Sequence, residues 1–157
     1  MTNIQEKYKI NKNTFAILPA KEIEFNAFVL EKKQTIHVQK TPLQLIKEAC
    51  LHEGYCSFNG RREAVMHHTG FKQKVPIPII PKKGIFAFPT HALKNFKCSW
   101  IFVEHILRIE KYKGDNRNSV VHFRNGRAII MEVSQHILQK QMQRTLECKY
   151  KFEVLHK

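Results

Sequence analysis

This sequence predicts an α+β fold, with an antiparallel, β-rich core and two principal α-helices, and three observations carry that expectation. Short β-type runs recur between Pro, Gly and Asn-Gly signals along most of its 157 residues. Asn125-Gly126 stands between two such runs and is flanked by Arg124 and Arg127, which reads as a hairpin with a type I′ turn. Thr41-Pro42-Leu43-Gln44 joins a capping hydroxyl, a proline at the first helical position and Gln at the third, which is a capping box.

In chain order, residues 1–12 are polar and read as loose, with Tyr8 and Ile10 able to begin a strand. Residues 14–18 form a short strand stopped by Pro19, and 26–30 with 35–38 form a hairpin-like pair. The helix opened by Thr41 has Leu43, Ile46 and Cys50 at helical spacing, and Gly54 stands where a cap would end it. Residues 55–74 show no period and read as a long basic loop, with a turn at Asn59-Gly60 and aromatics interleaved among cations. The proline-rich segment 75–81 reads as an edge strand or an extended connector, because proline cannot donate to a ladder.

Residues 85–88 give a compact strand closed by Pro89, and Trp100 to Tyr112 reads as one long strand. A turn at Lys113-Gly114 leads to strands over 119–123 and 128–133. Ser134 caps a second helix, from 135 to about 146, and the alternating tail Lys149-Tyr150-Lys151-Phe152 reads as a last strand. The two halves rhyme, since 28–46 and 120–138 both run strand, turn, strand, Ser/Thr cap, helix. This is a weak hint of an internal pseudo-repeat, beside the alternative that so common a unit recurs by chance. The whole of 1–157 is expected to be a single domain, with lobes over 8–74 and 85–157 joined by the proline-rich 75–81.

Charge bounds the function. Lys and Arg number 27 against 13 Asp and Glu, a net charge of +14, which favours a polyanionic partner. The N-terminus is polar, so no signal peptide is expected, and no apolar run approaches the ~20 residues that span a bilayer. Four cysteines without a CxxC pair suit a reduced, cytoplasmic chain. Cys50, His52 and Cys56 are the one zinc-like spacing, and the first two lie on a helix pointing in different directions, so no metal is expected. Cys98 and His105, on one expected strand, would face opposite sides of it. No nucleophile elbow, phosphate loop, zinc-protease or dinucleotide motif occurs, so no enzyme activity and no cofactor are expected.

The TPLQLIKEAC helix start at Thr41, NGRR at Asn59, FAFPT ending at Thr90 and CSWI at Cys98 form an ordered set. His105, HFRNG at His122, Ser134 and QMQRT at Gln141 continue it. In this order the chain resembles the bacterial competence transcription factor family, the ComK-like proteins, from about Tyr8 to Phe152. More distantly, its strand-hairpin-strand-helix ending is similar to the close of LytTR-type DNA-binding domains. The family resemblance implies an activator of DNA-uptake genes that binds paired A/T-rich boxes, largely through the minor groove of double-stranded DNA. It implies action as a homodimer or dimer of dimers, with RNA polymerase as a further partner. Longer members carry an extended C-terminal segment, and roles placed there are not expected of this chain.

A narrow minor groove has enhanced negative potential and attracts Arg and Lys. The candidates are Arg61 and Arg62 on NGRR, Arg124, Asn125 and Arg127 at the hairpin tip, Lys72 and Lys74, and Lys140 with Arg144 on the second helix. Two alternatives stand beside duplex binding. One is a single-strand or RNA binder that stacks bases on Phe58, Phe71, Tyr112 or Tyr150. The other is a basic module that docks an acidic protein.

Overall fold

The computed structural model describes residues 3–155, so the part of the loose-terminus expectation that falls on Met1 and Thr2 lies outside the described residues. From residue 4 onward the N-terminal segment is tied down. Its β1 (Ile4–Gln5) runs parallel to β4 (Thr35–Val38), and the Tyr8 hydroxyl donates to Glu31 at 2.5 Å and bonds Thr14 at 2.7 Å.

The larger sheet has seven strands in the order β1-β4-β3-β2-β7-β6-β5, where β2 is Thr14–Pro19, β3 Ala27–Glu31, β5 Ile77–Ile80, β6 Ile85–Pro89 and β7 Trp100–Phe102. β2 lies at its middle, with Ile17 opposite Val29 on one side and Trp100 on the other. A smaller sheet of three strands has the order β10-β9-β8, from Ile106–Tyr112 (β8), Asp115–Phe123 (β9) and Ala128–Met131 (β10). Apart from β1 with β4, the described pairings are antiparallel. The α+β class and the β-rich core follow from this arrangement.

Both faces of the larger sheet are buried. On one, Ile17, Val29, Trp100 and Phe102 pack with Leu45, Ile46 and Ala49 of α1 (Pro42–His52). On the other, Phe86, Phe88 and Ile101 pack with Val121 and Phe123 of the small sheet and Leu138 of α3 (Gln135–Leu155). Double burial explains why IPII, IFAFP and WIF read as continuous apolar runs instead of alternating. β5 is an edge strand, where its prolines are tolerated.

Four readings of local structure are corrected. Residues 58–69 form a helix, α2 (Phe58–Thr69), so the long loop expected over 55–74 is not one. The Ser57 hydroxyl accepts from Gly60 N at 3.0 Å, and Gly70, with φ +78°, ends the helix left-handed. Asn59-Gly60 is therefore a first helical turn, and the helix's polar surface hides its period. α3 runs through the expected tail strand, because Leu138, Gln141, Thr145, Cys148 and Phe152 recur at helical spacing and are all buried.

The long strand from Trp100 is broken by a 3-10 turn at Val103–His105, which carries the chain from one sheet to the other. The hairpin at Asn125-Gly126 exists, but its turn is not type I′. Only Gly126 has positive φ, at +92°, and Phe123 accepts from Gly126 N and donates to Arg127 O, as in a type I turn followed by a bulge. The two-residue turn with both φ positive is Lys113-Gly114 instead. Gly54 is needed for proximity and not for handedness, since a Cβ there would stand 2.2 Å from Ile79 O.

Candidate nucleic-acid interface

An open groove of about 920 Å³ runs between α2, the segment 72–75, the loop 90–95, the tip of the β8–β9 hairpin and the start of α3. Arg62 enters it from α2, Lys72 and Lys74 from the segment before β5, Lys94 from the β6–β7 loop and Arg117 from β9. Among the described residues, none of these five cations makes a side-chain hydrogen bond or salt bridge. The one carboxylate in the lining, Glu132, accepts from Lys97 Nζ at 3.0 Å. His91 lies in the same wall, where burial first, then Lys74 and Lys97, lower its pKa, so the ring is neutral at pH 7. The floor is partly apolar, from Val75, Val133 and Ile137.

The structure thus brings Arg62, Lys72 and Lys74 together and separates them from the other candidates. Arg61 turns away, its Nη2 donating to Gly54 O at 2.6 Å, and it lines a second hollow beside Lys82 and Lys83. Arg127 lies against the β3–β4 turn, where Nη1 donates to Glu31 O at 2.6 Å and Gln34 O at 2.9 Å, and Nη2 to Thr35 Oγ1 at 3.0 Å. Asn125 Nδ2 reaches Lys32 O at 2.7 Å, and its Oδ1 accepts from Arg127 N at 3.1 Å. The two arginines of the hairpin therefore do not oppose each other with free charges, because only Arg124 is exposed. Arg144 donates to Gln73 O at 2.9 Å and stacks over Phe71, while Lys140 is exposed on the outer side of α3.

Lys94 and Arg117 are absent from the candidates that the sequence supplies, although signals for both exist. Lys94 sits in HALKNFK, cations interleaved with apolar residues as in 55–74, and Arg117 follows the Lys113-Gly114 turn.

The aromatics of the single-strand alternative do not form a platform. Phe58 is buried, Phe71 is covered by Arg144, and Lys113 lies over Tyr112, which leaves Tyr150 as the open ring of the four. The Cys50 thiol is buried and pushed up to about 12 by that burial. Among the described residues, no group of three or more His, Cys, Asp or Glu is placed to hold a metal ion. Cys98 and His105 are not on one strand as expected. Cys98 precedes β7 and donates to His91 O at 3.3 Å, and His105 ends the 3-10 turn with its ring 4.2 Å from Phe15. No helix among the described residues is long and apolar enough to cross a membrane.

The family described as ComK protein matches residues 5–156. The chain is 30% identical over 150 residues to the competence transcription factor of Bacillus subtilis (strain 168), an alignment that covers 94% of this chain and 76% of the relative. No solved structure matches it significantly.

Proposed function

The chain belongs to the ComK protein family, and on that premise we propose that it is a competence transcription factor that holds double-stranded DNA against the basic groove. One observation supports this most. Arg62, Lys72, Lys74, Lys94 and Arg117 converge from four segments on one concavity, and its single carboxylate is already paired with Lys97. Gathered cations repel one another, and a phosphate backbone relieves that repulsion while releasing its condensed counterions. Arg124 and Lys140, exposed elsewhere, add to the positive field.

The partner is A/T-rich duplex, whose narrow minor groove favours inserted arginine and lysine. Specificity comes from groove width and the spacing of paired boxes more than from base edges, since the minor groove offers a degenerate code. Two boxes imply a homodimer or a dimer of dimers, and an activator in the cytoplasm acts on RNA polymerase. Arg144 serves this interface from behind through Gln73, whereas Arg61, Asn125 and Arg127 hold other parts of the fold.

The test is a fluorescence-anisotropy titration at two salt concentrations, with a duplex carrying paired A/T boxes and a G/C control of equal length. The expected result is tighter binding to the A/T duplex that survives the higher salt. Replacing Lys74, Lys94 and Arg117 by alanine should lower the slope of log K against log[salt] by about 0.9 for each phosphate no longer neutralised. Equal binding to both duplexes would leave only a generic polycation.

A further inference from the structure

We propose that Arg144 and Gln141 are positioning residues, which hold the wall of the groove that carries Lys72 and Lys74 without touching DNA themselves. The role in binding rests on the DNA reading above, whereas the clasp itself is independent of it.

The two side chains lie three residues apart on α3, on one face of the helix. Gln141 is 2% exposed and spends both amide hydrogens on backbone, donating to Lys74 O at 2.9 Å and to Pro89 O at 2.8 Å. Its Oε1 accepts from Arg144 Nη1. Arg144 Nη2 donates to Gln73 O at 2.9 Å, and its guanidinium lies 4.2 Å from the centre of the Phe71 ring. Segment 71–75 belongs to no strand ladder, so these bonds from α3 stand in for the missing ladder.

Lys74 also has φ +48°, a conformation that costs a non-glycine residue energy and persists only when its surroundings enforce it. Pro89 is the last residue of β6, and the loop bearing Lys94 begins after it. A single buried amide therefore joins the two walls of the groove, and with them the spacing of Lys72 and Lys74 from Lys94. The site suits arginine because a planar fork can donate and stack at once, which an ammonium cannot do.

The rival account makes Arg144 a direct phosphate ligand, as its charge suggests in the sequence. The experiment uses the full chain, with Arg144→Met and Arg144→Lys, and reads limited cleavage by trypsin after Lys72 and Lys74 together with the duplex titration. Both variants should speed cleavage after Lys72 and Lys74 at least tenfold and leave amide exchange in the central β2 strand unchanged, which also shows that they fold.

Both should lower the salt slope by about 1.8, because two lysines lose register together. Adding Arg144→Met to a Lys72→Ala, Lys74→Ala variant should weaken binding no further. Wild-type binding by Arg144→Lys, a slope change near 0.9 in Arg144→Met, or unchanged cleavage would overturn the proposal. If the wild type shows no salt-dependent duplex binding, the DNA reading fails, and the cleavage measurement alone upholds or sinks the clasp.

Discussion

β3, β4 and α1 are built from the same local parts as β9, β10 and α3: an antiparallel hairpin, a Ser or Thr cap and a helix. The first unit is absorbed into the larger sheet, with strand neighbours on both sides and α1 across its face. The second has a small sheet of its own, whose β10 edge is unpaired and whose Ile130 is exposed. Their caps differ in the same sense. Thr41 has the full capping box, with Gln44 reciprocating, whereas Ser134 accepts from Ile137 N at 3.2 Å and the apolar Ile137 cannot answer.

The units also meet. Arg127 and Asn125, at the turn of the second, bind the backbone at the turn of the first across more than ninety residues of chain. Local sequence set the parts alike, and packing put one into the larger sheet and laid the other across that sheet's second face, clamped at the turn.

The largest test concerns the joint between the two sheets. Glu104 sits in the 3-10 turn, its Oε2 accepting from Phe86 N at 3.3 Å while its buried Oε1 has no hydrogen-bond partner among the described residues. Burial pushes its pKa up to about 7 from 4.5. A raised folded-state pKa gives stability that is complete below the unfolded value and is lost as pH rises through the folded one. Stability should therefore fall between about pH 4.5 and pH 7, by on the order of 3 kcal/mol. Urea melts of the wild type and Glu104→Gln across that window should show the dependence flatten in the variant. An unchanged pH profile would mean that the joint is not strained by this charge.

Next comes the clamp. Arg127→Ala should cost about 2 kcal/mol, because three acceptors on the β3–β4 turn lose a charged donor, while Arg124→Ala should leave the denaturation midpoint within about 0.5 kcal/mol. Equal effects would erase the distinction between the two arginines. The smallest test separates the caps. Thr41→Ala should cost about 1 kcal/mol and Ser134→Ala about half that, read as thermal midpoints, and the reverse order would show that α3 depends more on its start than its cap geometry indicates.

What is legible in the sequence is local chemistry. The capping box at Thr41, the hairpin pairings and the proline edge at β5 each follow from a few adjacent residues. Helix α2 escapes because only Phe58 and Val65 are buried along it, so it lacks an apolar stripe, although Ser57 and Gly70 bracket it with start and stop signals. The tail of α3 reads as a strand because lysines alternate with Tyr150 and Phe152, and only the packing of Cys148 and Phe152 decides the period. At the groove, Arg62, Lys72 and Lys74 can be named from charge and spacing. Lys94 and Arg117 arrive there by tertiary folding, and charge alone does not tell Arg127 and Arg144, whose ends are spent on carbonyls, from cations that are free.

The central place of β2 bears on how the chain is made. Its residues leave the ribosome well before those of β7, yet one of its two ladders is completed by Trp100 and Ile101. At about 5–20 residues per second, that bare edge waits several seconds for its partner. During this interval the nascent protein presents an open, apolar strand backed by the β3–β4 hairpin, a template for pairing with other chains. The native ladder closes that edge only when β7 arrives, so an edge that is internal in the finished molecule is exposed while the chain is being made.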